Sequence, residues 1–119
     1  MRPRKPPKID SYEAGKLVLG GVTHTHDLII LPDRVFANWW RDEGHSLSPG
    51  DIELVFHTRP DLLIVGTGTQ GLMDVPALTR SAIARHGIEL VVQRTPDAVE
   101  TYNNLHDERR LAAALHLTC

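Results

Sequence analysis

The feature that most limits what this chain can fold into is LLIVGTGTQG, residues 62–71, in which four apolar residues run directly into glycines at 66, 68 and 71. A short apolar run bounded by turn formers reads as a strand buried on both faces. Glycines spaced G-x-G-x-x-G let the backbone turn tightly, and the N-terminus of a following helix directs amides and a positive dipole end at an anion. The stretch therefore sets a strand, a loop and a helix in order. It leaves open whether the loop holds a ligand or only turns the chain.

The residues on either side extend the pattern. Upstream, Ser48, Pro49 and Asp51 occupy N-cap, first-turn and N3 positions ahead of Ile52, Val55 and Phe56 at helical spacing, which predicts a short helix. Downstream, Asp74 and Pro76 open a helix with Val75, Leu78, Ala82 and Ile83 on its apolar side, closed by Gly87. Residues 88–92 are the next strand, and Thr95-Pro96-Asp97 is expected to cap a third helix with Ala98, Tyr102 and Leu105 on its buried stripe. Between Lys8 and Trp40 the chain is β-prone and broken by Gly15, Gly20-Gly21, THTHD and Pro32-Asp33, a meander with strands expected at 16–19, 27–31 and 35–40. Either Gly20-Gly21 or residues 23–26 make its first tight turn. Three alanines within residues 111–118 favour a helix, whereas their position after a helix favours a closing strand. Strands alternating with helices from residue 48 onward imply parallel crossovers, and the meander adds antiparallel strands: an α/β fold on a mixed sheet.

With 119 residues, the chain suffices for one hydrophobic core and not two. The basic, proline-rich MRPRKPPK is followed by no apolar core of the kind a secretory signal needs, so residues 1–8 are expected to be a disordered leader before a single domain at 9–119. No apolar run approaches the ~18 residues that span a bilayer, which argues against an integral membrane protein. A net charge of −2 offers no general attraction for nucleic acid, and one cysteine, Cys119, cannot form an internal disulfide. The cytoplasm is the expected location.

Each motif carries a functional and a plain reading. For a dinucleotide, the strand at 88–92 should end near a carboxylate that meets the ribose, but Gln93-Arg94 stands there, and residues 73–76 delay the helix beyond the third glycine. NAD and NADP are not expected to bind, and no cofactor is expected. His24 and His26 would share one face of a strand, yet two ligands do not make a zinc site, so no metal is expected. Asp27, His45 or His57 would complete such a site only through tertiary proximity. No nucleophile elbow or cysteine–histidine signature accompanies Cys119, Ser46 or Ser81, and no catalytic residue is assigned. On a strand the rings of Trp39 and Trp40 face opposite sides, so either one fills the core and the other lies at the surface, where an exposed indole is a docking anchor, or both are covered by loops or helices.

DLIILP, Trp40, PDLLIVGTG, Thr95-Pro96 with Ala98, Tyr102-Asn103 with Leu105, Glu108 and Arg110, and the closing LAAALHLTC occur together over nearly the whole chain after the leader. In this combination the chain resembles the adipogenesis-associated MTH-domain family, which includes the mitochondrial complex I assembly factor subgroup and small bacterial proteins without assigned function. The resemblance implies a three-layer α/β domain with a central mixed sheet of about five strands and a β-rich N-terminal addition, and it makes the tail a strand. It brings no cofactor and no catalytic residue. Gly66, Gly68, Thr95, Tyr102 and Asn103 match the family's motif positions, while Arg109 stands where relatives often place glycine. The function the resemblance implies is a non-enzymatic binding or assembly module with protein partners, serving respiratory or membrane-associated complexes. The alternative is a binding protein or an enzyme with a small-molecule or anion site built from Gly66, Thr67, Gly68, Thr69, Gln70 and Gly71 together with Thr95, Tyr102 and Asn103, at the carboxyl ends of two adjacent parallel strands.

Overall fold

The computed structural model describes residues 5–119. Its eight strands form two sheets. The first is antiparallel, β1 (Ile9–Glu13), β2 (Lys16–Leu19) and β3 (Val22–His24), in that order. The second holds β4 (Leu28–Ile30), β5 (Val35–Phe36), β6 (Leu62–Thr67), β7 (Glu89–Gln93) and β8 (Leu111–His116), in the order β5-β4-β8-β6-β7. β8 runs parallel to β6 and antiparallel to β4, and β6 is parallel to β7. The last strand of the chain thus lies in the middle of a mixed sheet. A 3-10 turn at Pro49–Ile52 leads into α1 (Glu53–Thr58), and α2 (Ala77–Arg85) and α3 (Thr95–Leu105) connect the parallel strands.

Period-two alternation assigns the two faces of the central sheet to separate cores. Ile29, Leu63, Val65, Ala112 and Ala114 meet Ile52, Val55 and Ile83 from the 3-10 turn, α1 and α2. Leu28, Ile30, Leu62, Ile64, Ala113 and Leu115 meet Ala98 and Tyr102 of α3 and Ile9, Leu17 and Leu19 of the first sheet. Three layers result. Every residue of β6 and β8 is buried, as strands covered on both faces must be, and the small alanines of β8 let both layers approach the sheet centre.

Several local expectations are corrected. The first tight turn is neither expected alternative but Ala14-Gly15, between Glu13 and Lys16, with Gly15 at φ 80°; Gly20-Gly21, with φ values of 57° and 79°, makes the next one, a two-residue hairpin between Leu19 and Val22. β1 and β3 were not among the expected strands. β5 stops at Phe36 rather than Trp40, because Asn38 takes a left-handed φ of 55° that breaks the extended run. In α2 the buried residues are Thr79, Ala82 and Ile83, while Leu78 is 68% exposed. Starting the helix at Ala77 turns Leu78 outward. Within the expected leader, Lys5 Nζ donates to the His106 carbonyl at 2.9 Å, and the Tyr102 hydroxyl donates to the Pro7 carbonyl at 3.0 Å. The rest of the expected leader, residues 1–4, lies outside the described residues.

Asn103 holds the N-terminal sheet to α3. Its Oδ1 accepts from the Ile9 amide at 2.8 Å, and its Nδ2 donates to the Ile9 carbonyl at 2.9 Å, so one side chain satisfies both backbone groups of a residue 94 positions away. Asn103→Ala is expected to cost about 1–3 kcal/mol in chemical denaturation, because both Ile9 groups lose their partner in a partly buried setting. A loss within about half a kcal/mol, as for a surface asparagine, would refute the clamp.

Candidate functional site

The glycine loop lies at the carboxyl edge of β6, flanked by β7 and β8. Thr95 sits against it. The Gly68 amide donates to Thr95 Oγ1 at 2.9 Å, the Thr95 hydroxyl donates to the His116 carbonyl at 2.6 Å, and the Thr95 amide donates to the Gly68 carbonyl at 3.0 Å. Thr95 was expected to cap α3, and it does not. Its wholly buried hydroxyl is spent joining the loop to β8, and Arg94 occupies the N-cap position without a side-chain cap.

The rest of the loop is tied inward. The Thr69 amide donates to the Thr118 carbonyl, the Leu72 amide to the Cys119 carbonyl at 3.0 Å, and the Gly71 amide to the Gly68 carbonyl at 3.2 Å. The Tyr12 hydroxyl donates to the Leu117 carbonyl at 2.7 Å and lies 2.6 Å from the Thr69 hydroxyl, which in turn donates to it. Thr67 Oγ1 donates to the Gln93 carbonyl at 3.1 Å. An anion-binding loop needs free amides pointing at its ligand. Here those of Gly68, Thr69, Gly71 and Leu72 have acceptors within the chain, the carbonyls of Thr118 and Cys119 among them. Gln70 is exposed on the outer side of the loop.

Tyr102 and Asn103 do not join this group. Both bond to the N-terminal segment, and Tyr102 lines a cleft of about 350 Å³ with Leu31, His106 and Leu111. Because Leu111 begins β8 and His116 ends it, that cleft is at the opposite edge of the sheet from the glycine loop. Burial pushes the Tyr102 phenol well above its ordinary value, so it acts as a neutral donor.

Beside the loop stands a polar centre that sequence reasoning missed. Asp27, just before β4, accepts from the Leu117 amide at 2.7 Å through Oδ1 and pairs through Oδ2 with His116 Nδ1 at 2.8 Å and Arg41 Nη1 at 2.9 Å. Arg41 Nη2 donates to the Gly44 carbonyl at 2.8 Å, and its guanidinium stacks 4.7 Å from the Trp39 ring. The Arg41 side chain is only 4% exposed. Burial pushes the Asp27 carboxyl up, but the hydrogen bonds from His116, the Leu117 amide and Arg41 outweigh it and hold the group below the usual carboxylate range. His45 lies edge-on to His116 with ring centroids 5.9 Å apart. Donor atoms of His45, His116 and Cys119 all lie within 4.8 Å of one another.

Residues 9–116 match the family model described as "Protein of unknown function (DUF498/DUF598)". The chain belongs to this family. It is 31% identical over 109 residues to NADH dehydrogenase [ubiquinone] 1 alpha subcomplex assembly factor 3 of Danio rerio, covering 89% of this chain and 61% of that protein. The chain therefore spans about three-fifths of that relative. Among solved structures it resembles an outer membrane protein of Bartonella henselae, with a TM-score of 0.82, 25% identity and full coverage of both chains. It also resembles a Mth938-like domain protein of Bordetella pertussis, with a TM-score of 0.70, 22% identity and coverage of 98% and 92%. These matches agree with the MTH-domain resemblance of the sequence. No helix among the described residues is long and apolar enough to cross a membrane.

Proposed function

We propose that this protein is a non-enzymatic module that binds a protein subunit during assembly of a respiratory or other membrane-associated complex. The observation that carries the reading is Trp40, which is 77% exposed between two anchored neighbours. Trp39 is buried, with its amide donating to the Asp27 carbonyl at 2.8 Å and its indole to the Asp51 carbonyl at 2.9 Å, and Arg41 is locked into the Asp27 centre. An indole presented from so fixed a backbone gives up little freedom on docking, which is what an interface anchor requires. Kinship with an assembly factor supports the choice of partner, and the internally bonded glycine loop supports binding over small-molecule chemistry.

Trp40→Ala is expected to leave the fold intact and weaken partner binding by tenfold or more. A photoreactive residue at position 40, followed by identification of the crosslinked chain in the native host, checks this. The reading predicts a reproducible adduct with one subunit of a membrane-associated complex. Unchanged recovery of that subunit with Trp40→Ala, or no such adduct, would overturn it.

A further inference from the structure

We infer that His45, His116 and Cys119 form a mononuclear site for a divalent metal of the zinc class, with Asp27 positioning His116. Nitrogen and thiolate donors in this set suit zinc, and three protein ligands leave one position for water or a fourth ligand. Their sequence positions are far apart, but the fold brings them to one edge of the sheet.

The orientation of His116 is the decisive observation. Its residue is only 6% exposed, and its Nε2 has no hydrogen-bond partner, although a buried imidazole nitrogen ordinarily finds one. Nδ1 lies 2.8 Å from the Asp27 carboxylate, which assigns the ring proton to that nitrogen and leaves Nε2 with its lone pair. Arg41 Nη2, 3.1 Å from the same Nδ1, then directs its proton to the Gly44 carbonyl instead. A carboxylate holding the far nitrogen of a histidine is the arrangement that fixes metal-binding imidazoles and raises their basicity. The ring edge carrying Nε2 faces Gly68, where a hypothetical Cβ would stand 2.9 Å from His116 Cδ2 and would also strike the Cys119 backbone. The missing side chain at Gly68 therefore lets His116 and Cys119 lie side by side.

The other two ligands are set on anchored backbone with exposed side chains. The His45 carbonyl accepts from the Asp74 amide at 2.8 Å, and the Cys119 carbonyl accepts from the Leu72 amide at 3.0 Å. Both side chains belong to exposed residues, so an ion has an entry path. Metal–ligand bonds of about 2.0–2.3 Å put tetrahedral donors about 3.3–3.7 Å apart. Rotation of His45 and Cys119 supplies the remaining closure. On binding, the Cys119 thiol gives its proton to solvent and the thiolate takes the metal, while Asp27 offsets Arg41.

The test uses the full chain without a histidine tag, reduced with a non-chelating phosphine, stripped with chelator, and titrated with zinc by calorimetry and with cobalt by absorption. One equivalent of zinc per chain is expected, with tetrahedral cobalt bands and a thiolate-to-cobalt charge-transfer band. Cys119→Ser should abolish the charge-transfer band, and Cys119→Ser and His45→Ala should each weaken zinc binding at least tenfold while keeping the wild-type circular dichroism. The double variant His24→Ala/His26→Ala should bind as wild type. Absence of saturable binding, wild-type affinity in either ligand variant, or loss of the metal in the His24/His26 variant would overturn the assignment.

Discussion

Asp27→Ala is expected to lower the unfolding free energy by about 3–5 kcal/mol, because removing one partner of a buried ion pair leaves the other charge without compensation. The charge left behind is the Arg41 guanidinium, whose Nη1 has the Asp27 carboxylate 2.9 Å away. The Leu117 amide and His116 Nδ1 lose their acceptor in the same change. All three groups hold the end of β8 and the following residues in place, so the loss should extend to the glycine loop. The pH dependence has a definite sign. The folded Asp27 carboxyl lies below its ordinary value of 3.8, so its contribution is present above about pH 4 and lost as the pH falls through the folded value. Urea titrations from pH 7 downward should show wild type losing stability over that acid range, and Asp27→Ala should have a flatter profile there. A loss below about 1 kcal/mol at pH 7, the range of an exposed ion pair, would show that the pair is effectively solvated.

The strands that form the central sheet were legible because their physics is local. β6 is an apolar run long enough for a doubly covered strand, and its neighbour β7 is found one residue from its expected start. β1 and β3 were not legible for the opposite reason. In Ile9–Glu13 only Ile9 is buried, and in Val22–His24 no residue is, so neither offers an apolar alternation. Their order comes from pairing with β2 across the Ala14-Gly15 and Gly20-Gly21 turns and from the Asn103 clamp, none of which an apolar pattern announces. β8 was ambiguous because alanine favours helix, whereas at the centre of this sheet its small volume is what both layers need.

The site divides in the same way. Proximity of Thr95 to Gly68 follows from adjacent parallel strands, whose succeeding loops share an edge. Tyr102 and Asn103 sit two turns along α3, nearly 11 Å farther by helix rise, where they meet the N-terminal segment rather than the loop. The Asp27–Arg41–His116 centre joins residues up to 89 positions apart, and no local spacing announces it. One faint signal was available: His116 ends an otherwise apolar strand, LAAALH, and a histidine there must find a polar partner.

Gly68→Ala is expected to cost about 2–5 kcal/mol, combining backbone strain with overpacking. Gly68 has φ +107°, a conformation that side-chain-bearing residues rarely adopt, and an added Cβ would strike the Cys119 backbone and stand 2.9 Å from His116 Cδ2. Backbone cannot rotate away as a side chain can. Relief must therefore come from displacing the loop or residues 117–119, breaking the Thr69–Thr118 and Leu72–Cys119 hydrogen bonds. Gly71→Ala is the matched comparison. Gly71 also has a positive φ, of 75°, but its added Cβ would meet first the flexible Arg94 side chain at 3.1 Å, so the cost there should be mainly backbone strain, about 1–2 kcal/mol. Denaturant midpoints should thus order wild type above Gly71→Ala above Gly68→Ala. Amide exchange at Thr69 and Leu72 should accelerate more in Gly68→Ala than in Gly71→Ala. If the two substitutions cost the same and leave those amides equally protected, the glycine at 68 serves only the turn, and close packing of residues 117–119 against it does not hold the loop in place.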